Sequence, residues 1–156
     1  GNSDVMIKKA TMDDLESVTS LNYQFHQYMV GAPIFLISPE EPNIKDSILD
    51  SSKALWIAFK VGRAVSFMIV GPANQDAALV IQDESIASIY GAFTEEKFRG
   101  QGIGKALLNK SIKWASSMGY ENYAVDFEPE NIDGSRFWMK HFKPICYSLV
   151  RNVVFI

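Results

Sequence analysis

Apolar positions along this chain change their period several times, and those changes divide it into elements. Val5, Met6 and Ile7 form a short apolar run before Thr11-Met12-Asp13-Asp14, where Thr11 is placed to cap a helix and Asp14, three residues on, to close a capping box. In the helix that follows, Leu15, Val18, Leu21, Phe25, Tyr28 and Met29 recur at three- and four-residue spacing up to the break at Gly31-Ala32-Pro33. From there to about Lys53 the pattern weakens among Pro33, Pro39 and Pro42, with a short helix expected near Ile44 to Leu49. Ala54 to Phe59 and Ala64 to Val70 are apolar on both faces and too short for helices, so they read as buried strands joined by a hairpin turn at Lys60-Val61-Gly62-Arg63.

A further apolar run at Ala77 to Ile81 is an uncertain extra strand, and Ile86 to Phe93 is a firmer one, with Gly91 inside it marking a bulge or a close backbone approach. Helix formers then dominate from Gly102 through Met118, with Ile103, Leu107, Leu108, Ile112, Ala115 and Met118 on one face and Gly119 placed to end the helix. Tyr123 to Phe127 is the next strand, Asp133 to His141 a short helix stopped by Lys143-Pro144, and Ile145 to Phe155 a single last strand. The expected order is β-α-β-β-β-α-β-α-β. No internal repeat or linker interrupts it, so residues 1–156 read as one α/β domain.

Composition narrows the function. Of 156 residues, 47% are apolar and 21% charged, and a formal charge of -3 gives no electrostatic argument for a nucleic-acid partner. The single Cys146 excludes an intramolecular disulfide, and with two histidines in the chain no zinc site of thiolates and imidazoles is expected. No apolar run has the length of a membrane span, and Gly1-Asn2-Ser3-Asp4 has neither the basic nor the apolar region of a signal peptide, so a cytoplasmic protein without metal is expected.

The chemistry concentrates in Phe98-Arg99-Gly100-Gln101-Gly102-Ile103-Gly104-Lys105, where a strand gives way to a long helix. The first turn of a helix carries unpaired N–H groups and a partial positive charge, and glycines there let phosphates approach closely. Arg99 and Lys105 add side-chain charge, although a tight strand-to-helix turn alone would also use glycines. A P-loop is excluded, because three residues rather than four separate Gly100 from Gly104 and Lys105 is followed by Ala106. The dinucleotide fingerprint fails as well, with one residue instead of two between Gly102 and Gly104.

The pattern R/Q-x-x-G-x-G/A fits through Arg99, Gly102 and Gly104, and here the sequence resembles the GNAT superfamily of acyl-CoA-dependent N-acyltransferases over nearly its whole length. The resemblance implies a GNAT-type mixed sheet with splayed central parallel strands and flanking helices. It also implies acetyl-CoA as co-substrate and direct transfer of an acetyl group to a primary amine of a small molecule or peptide. By the same resemblance, the pyrophosphate lies on Arg99, Gly100, Gln101, Gly102, Ile103, Gly104 and Lys105. The pantetheine arm lies against Ala92, Phe93 and Thr94, with Asn131 and Ser135 on the following loop and helix. The splayed strands are Ile86 to Phe93 and Tyr123 to Phe127. Where the family often has a general-acid Tyr, this chain has Trp138, whose indole N–H has no useful acidity. A non-catalytic acyl-CoA-binding sensor is therefore the alternative.

Acyl transfer to an amine needs a group that takes up the amine's proton within hydrogen-bond reach. Asp126, Glu84 and Tyr90 are the candidates, and Asp126 stands out as a carboxylate within an apolar strand that must meet solvent or a partner. His26 is more often a solvated or packed helix residue than a base, His141 suits a helix C-terminus, and Cys146 reads as a small buried hydrophobe. Tyr23 and His26, with Phe25, Tyr28 and Phe35, place aromatic groups on the acceptor side. The family commonly has two strands after its last helix. Only one is expected here, and the open sheet edge it would leave predicts a homodimer.

Overall fold

The computed structural model describes residues 4–30, 43–73, 86–126, 144–147 and 152–155. Strand β1 (Val5–Lys9) leads through a 3₁₀ turn at Met12–Asp14 into helix α1 (Leu15–Val30). Asp14 reaches back to accept the Thr11 N–H at 2.8 Å, as the spacing predicts, and holds the Lys8 ammonium at 2.9 Å. A short helix α2 (Ile44–Leu49) is capped by the Asn43 side chain, which accepts from the Asp46 N–H. Strands β2 (Ala54–Lys60), β3 (Arg63–Pro72) and β4 (Ile86–Thr94) form an antiparallel meander. Helix α3 (Ile103–Ser117) then crosses to β5 (Asn122–Asp126), followed by β6 (Pro144–Tyr147) and β7 (Asn152–Phe155). The sheet order is β1-β2-β3-β4-β5-β7-β6, and β4 with β5 is its parallel pair among the described residues.

The two faces of the sheet carry separate cores, because β2 and β3 are apolar on both sides. On one face Ala54, Ala58, Val65, Met68 and Val70 pack against Ile103, Leu107, Leu108 and Ala115 of α3. On the other, Leu55, Ile57, Phe67 and Ile69 meet Val18 and Leu21 of α1 and Ile44 of α2. Helix α3 ends as expected at Gly119, whose φ of 97° lets the Gly119 and Tyr120 amides return to the Ser116 and Ala115 carbonyls.

The C-terminus differs from the expectation of one strand over Ile145 to Phe155: it is two, paired antiparallel with Cys146 opposite Val154 and Tyr147 opposite Val153. The physical reason is length. Strand β5 has five residues, and β7 fills its outer edge from Tyr123↔Phe155 to Asp126↔Asn152. An eleven-residue strand would run past β5 with its backbone groups unpaired, whereas folding back gives them partners. The premise of a missing closing strand, from which the homodimer was expected, is thereby corrected. The expected run at Ala77 to Ile81 and the helix at Asp133 to His141 lie outside the described residues.

Two consequences can be measured. The β2–β3 turn places Val61 at φ 54° and Gly62 at φ 73°, and Val61 is 90% exposed. A β-branched residue in the left-handed region gains nothing from burial there, so Val61→Asn should stabilise the protein by about 1 kcal/mol in urea unfolding. Burial of Asp14 raises its pKa, but the Thr11 amide and the Lys8 ammonium outweigh this and hold it below the usual carboxylate value. The stability it contributes is complete above the unfolded-state value and is lost as pH falls through the lower folded-state value. Unfolding curves below about pH 4 should therefore show an acid-dependent loss that Asp14→Asn flattens, at a cost of about 1 kcal/mol at neutral pH.

Candidate functional site

Among the described residues, strand β4 is paired on both sides for only part of its length. Its ladder with β5 runs from Ile86↔Asn122 to Ile89↔Val125, while its ladder with β3 continues to Ser66↔Thr94. At the point of separation the β3 register passes from Val70↔Ile89 to Ile69↔Gly91, so Tyr90 is the extra, bulged residue beside the glycine that the sequence marked. Beyond the bulge, the Glu95 N–H goes to the Val65 carbonyl of β3. Strand alternation then turns Phe93 toward β3 as well, and the N–H and C=O groups of Ala92 and Thr94 toward the β5 side. The Phe93 carbonyl accepts from the Ser66 hydroxyl at 2.8 Å, and the Thr94 hydroxyl, 2.7 Å from Ser66, donates to it because Ser66 has one proton to give. Of the expected backbone contacts, Ala92 and Thr94 thus face the split, while Phe93 faces β3 and offers its ring.

The strand-to-helix turn follows directly. A 3₁₀ turn at Glu96–Phe98 leads to Gly100 and Gly102, both at positive φ (76° and 82°), and Gly102 is the N-cap of α3. Two left-handed residues in a five-residue span reverse the chain so that α3 starts beside the end of β4. The first i→i−4 bond of α3 runs from Ala106 to Gly102, which leaves the Ile103, Gly104 and Lys105 amides without an acceptor inside the helix. Those amides carry the positive end of a 15-residue helix dipole. Arg99 does not simply extend into solvent: its Nε donates to the Thr94 carbonyl at 3.0 Å and its guanidinium lies 5.7 Å from the Phe93 ring centre. It ties the turn to the strand while keeping its charge at the junction. Lys105 is exposed on the first turn of α3.

The remaining expected residues are distributed unevenly. Asp126 ends β5 opposite Asn152, one position past the last β4–β5 pair, and so stands at the mouth of the split. Tyr90 is the bulge itself. Lys53 Nζ lies 5.4 Å from its ring centre, and Gly71 makes room for both, since a Cβ there would come within 2.8 Å of Lys53 Cγ and 3.2 Å of Tyr90 Cε2. On α1, Phe25 packs on Phe93 with ring centres 5.9 Å apart, which brings the C-terminal half of that helix to the end of β4. His26 is half-buried there, and Tyr23 is exposed with its hydroxyl accepting from Gln27. Glu84, Asn131, Ser135 and Trp138 lie outside the described residues.

Sequence reasoning missed the residues that brace the turn from the β2–β3 hairpin. Arg63 pairs with the buried Glu95, and Lys60 Nζ donates to Gln101 Oε1 at 2.6 Å. These partners are 32 and 41 residues apart, and no local pattern connects them. Among the described residues no cluster of three or more His, Cys, Asp or Glu side chains could hold a metal ion, and no helix is long and apolar enough to cross a membrane.

Among the described residues the arrangement is a split between two parallel strands, with the Ala92 and Thr94 backbone groups on one wall, the Thr94 carbonyl held by Arg99, and an anion-binding helix terminus at one end. It can receive an extended polar chain as an added strand and a phosphate group at α3.

The comparisons agree with that geometry. A family model described as the acetyltransferase (GNAT) family matches residues 16–142. Among curated protein sequences none matches this chain. An acetyltransferase of the GNAT family from Staphylococcus aureus superposes with a TM-score of 0.73 at 16% identity, covering 97% of this chain and 96% of that one. An aminoglycoside N-acetyltransferase solved in complex with CoA gives 0.73 at 18% identity, with 92% and 96% covered. A ribosomal-protein-alanine N-acetyltransferase from Brucella melitensis gives 0.69 at 16%, with 92% and 94% covered.

The two glycines flanking Ile103 should respond oppositely to a methyl group. Gly102→Ala forces an L-residue to φ 82° and should cost about 1–2 kcal/mol. Gly104→Ala replaces a glycine inside α3 and should stabilise by up to about 1 kcal/mol. Thermal unfolding of both variants measures the difference.

Proposed function

The chain belongs to the GNAT family of acetyltransferases, and from that premise we propose that the β4–β5 split holds the pantetheine arm of acetyl-CoA and that the Arg99 to Lys105 turn holds its pyrophosphate. The reaction is the acetyl-CoA-dependent transfer of an acetyl group to an amine. The observation that carries the residue assignment is the end of the β4–β5 ladder at Ile89↔Val125, with α3 beginning at the far end of the same strand. In this reading the Ala92 and Thr94 backbone groups pair with the amides of the arm as a neighbouring strand would. The Ile103, Gly104 and Lys105 amides, with the Arg99 and Lys105 charges, offset the phosphates. Asn131 and Ser135 follow the family pattern as further contacts to the arm and phosphates.

Acetyl-CoA supplies a thioester whose thiolate, from a thiol with a pKa near ~8.5, leaves readily. The protein's own task is to orient, to stabilise developing negative charge with the strand amides beyond the bulge, and to take up the proton of the incoming amine. Asp126 is assigned that proton, because it ends β5 at the mouth of the split, and Tyr90 and Glu84 are the other groups by which it could pass. The acceptor is a primary amine of a small molecule or peptide, approaching past Tyr23, His26 and Phe25 on α1. An aminoglycoside and a ribosomal-protein alanine are the acceptors named for two structural neighbours, and both carry amines of that kind.

A cytoplasmic location accords with one cysteine in 156 residues, and a formal charge of -3 favours an amine acceptor over a nucleic acid. If two copies associate, β1 and β6 are the sheet edges available for strand pairing.

Thiol release from acetyl-CoA in the presence of a panel of primary amines (amino acids, polyamines, aminoglycosides and short peptides) tests the reading. Turnover with at least one class is expected. Asp126→Asn should lower kcat by about tenfold or more and flatten the acidic limb of the pH profile, where protonation of the carboxylate slows the wild type. Stabilisation by acetyl-CoA without thiol release across the panel would instead fit the acyl-CoA sensor that Trp138 suggests. The absence of any acetyl-CoA effect on folded protein would overturn the site assignment.

A further inference from the structure

The glycine turn accounts for Arg99 and Lys105, but a third cation is brought to it from a distant part of the chain. Lys60 ends β2, on the face of the sheet that α3 covers, as shown by its alternation partners Ala54 and Ala58 in the core beneath that helix. Its ammonium lies 2.6 Å from Gln101 Oε1 and 5.7 Å from the Phe98 ring centre. It is therefore held in the turn itself, one residue before the N-cap of α3. Gln101 also donates from Nε2 to the Lys97 carbonyl, so its side chain is folded back over the 3₁₀ turn with its carbonyl oxygen presented to Lys60. The neighbouring hairpin cation, Arg63, is by contrast committed to the buried Glu95.

Resting on the acetyl-CoA assignment above, we propose that Lys60 is a phosphate ligand of this site, parked on Gln101 until CoA arrives. An amide oxygen is a neutral acceptor, and a phosphate oxygen carrying charge is a stronger one for the same ammonium. Lys60 has three donors and a flexible stem, so it can leave Gln101 for a phosphate at the adjoining helix terminus without moving the hairpin. The cation–π contact with Phe98 keeps the ammonium near the turn in both states. The site then gathers cations from two elements: the motif supplies Arg99 and Lys105, and the β2–β3 hairpin supplies Lys60. The phosphate is either the pyrophosphate or the 3′-phosphate of CoA.

Calorimetric titration with acetyl-CoA and its 3′-dephospho form, at two salt concentrations, decides the matter for the wild type, Lys60→Gln and Lys60→Arg. Lys60→Gln should weaken acetyl-CoA binding about tenfold and reduce its salt dependence, as expected for loss of one charge-assisted contact, and Lys60→Arg should restore most of the affinity. A penalty that persists with the dephospho form assigns Lys60 to the pyrophosphate, and one that vanishes assigns it to the 3′-phosphate. If Lys60→Gln binds as the wild type does, or if it loses affinity with no change in salt dependence, Lys60 is a brace and the proposal is overturned. Failure of the wild type to bind acetyl-CoA would instead defeat the reading on which it rests, before any variant is compared.

Discussion

The structure turns on one interruption: among the described residues the parallel ladder has its last pair at Ile89↔Val125, where β4 carries an extra residue, Tyr90, against β3. A bulge bends the strand that contains it and increases its twist. Here β3 continues to hold β4 through Gly91, Ala92, Phe93 and Thr94. The Thr94 carbonyl on the β5 side accepts from Arg99 Nε, and the Ala92 groups and the Thr94 N–H on that side require partners as well. A chain molecule with amide groups at strand-like spacing meets that requirement better than scattered water does, and the pantetheine arm is such a molecule. The proposed binding site is thus a defect in a sheet, placed where a ligand would complete the hydrogen bonding.

The second half of the site follows from where β4 ends. Gly100 and Gly102 occupy the left-handed region, and this reverses the chain within a few residues so that the α3 N-terminus lies at the end of the strand that bounds the split. The helix cannot drift from that position. Its apolar face is fixed in the core under β2 and β3, and the turn before it is tied by Arg99 to the Thr94 carbonyl, by Arg63 to Glu95 and by Lys60 to Gln101. Packing far from the ligand therefore sets the distance between the strand groups and the helix amides. The position of Phe25 on Phe93 does the same for α1 on the opposite face, where an acceptor would approach.

Much of this was legible in the sequence because it is local. The period change at Leu15, the double-sided apolar runs of β2 and β3, the Val61-Gly62 turn and the Gly102 cap each depend on residues within a few positions of one another. The bulge was legible within one residue, from a glycine in a strand that is otherwise apolar. The C-terminal hairpin was not, since Ile145 to Phe155 holds no Gly or Pro to mark a turn and it is the five-residue length of β5 that tells it to fold back. Nor were the Lys60–Gln101 and Arg63–Glu95 pairs, because a contact between residues 41 or 32 positions apart has no periodic signature. The orientation of Phe93 toward Ser66, which leaves Ala92 and Thr94 facing the split, depends likewise on which side of the bulge the ladder resumes.

The central claim is that acetyl-CoA completes the interrupted sheet and covers the start of α3 at once. Amide hydrogen exchange, resolved to single residues and compared with and without acetyl-CoA, addresses it most directly. The account predicts slowed exchange at two separate places: the Ala92 and Thr94 amides beyond the bulge, and the Ile103, Gly104 and Lys105 amides of the first helical turn. Binding of acetyl-CoA with protection elsewhere, and none at Ala92 and Thr94, would contradict it.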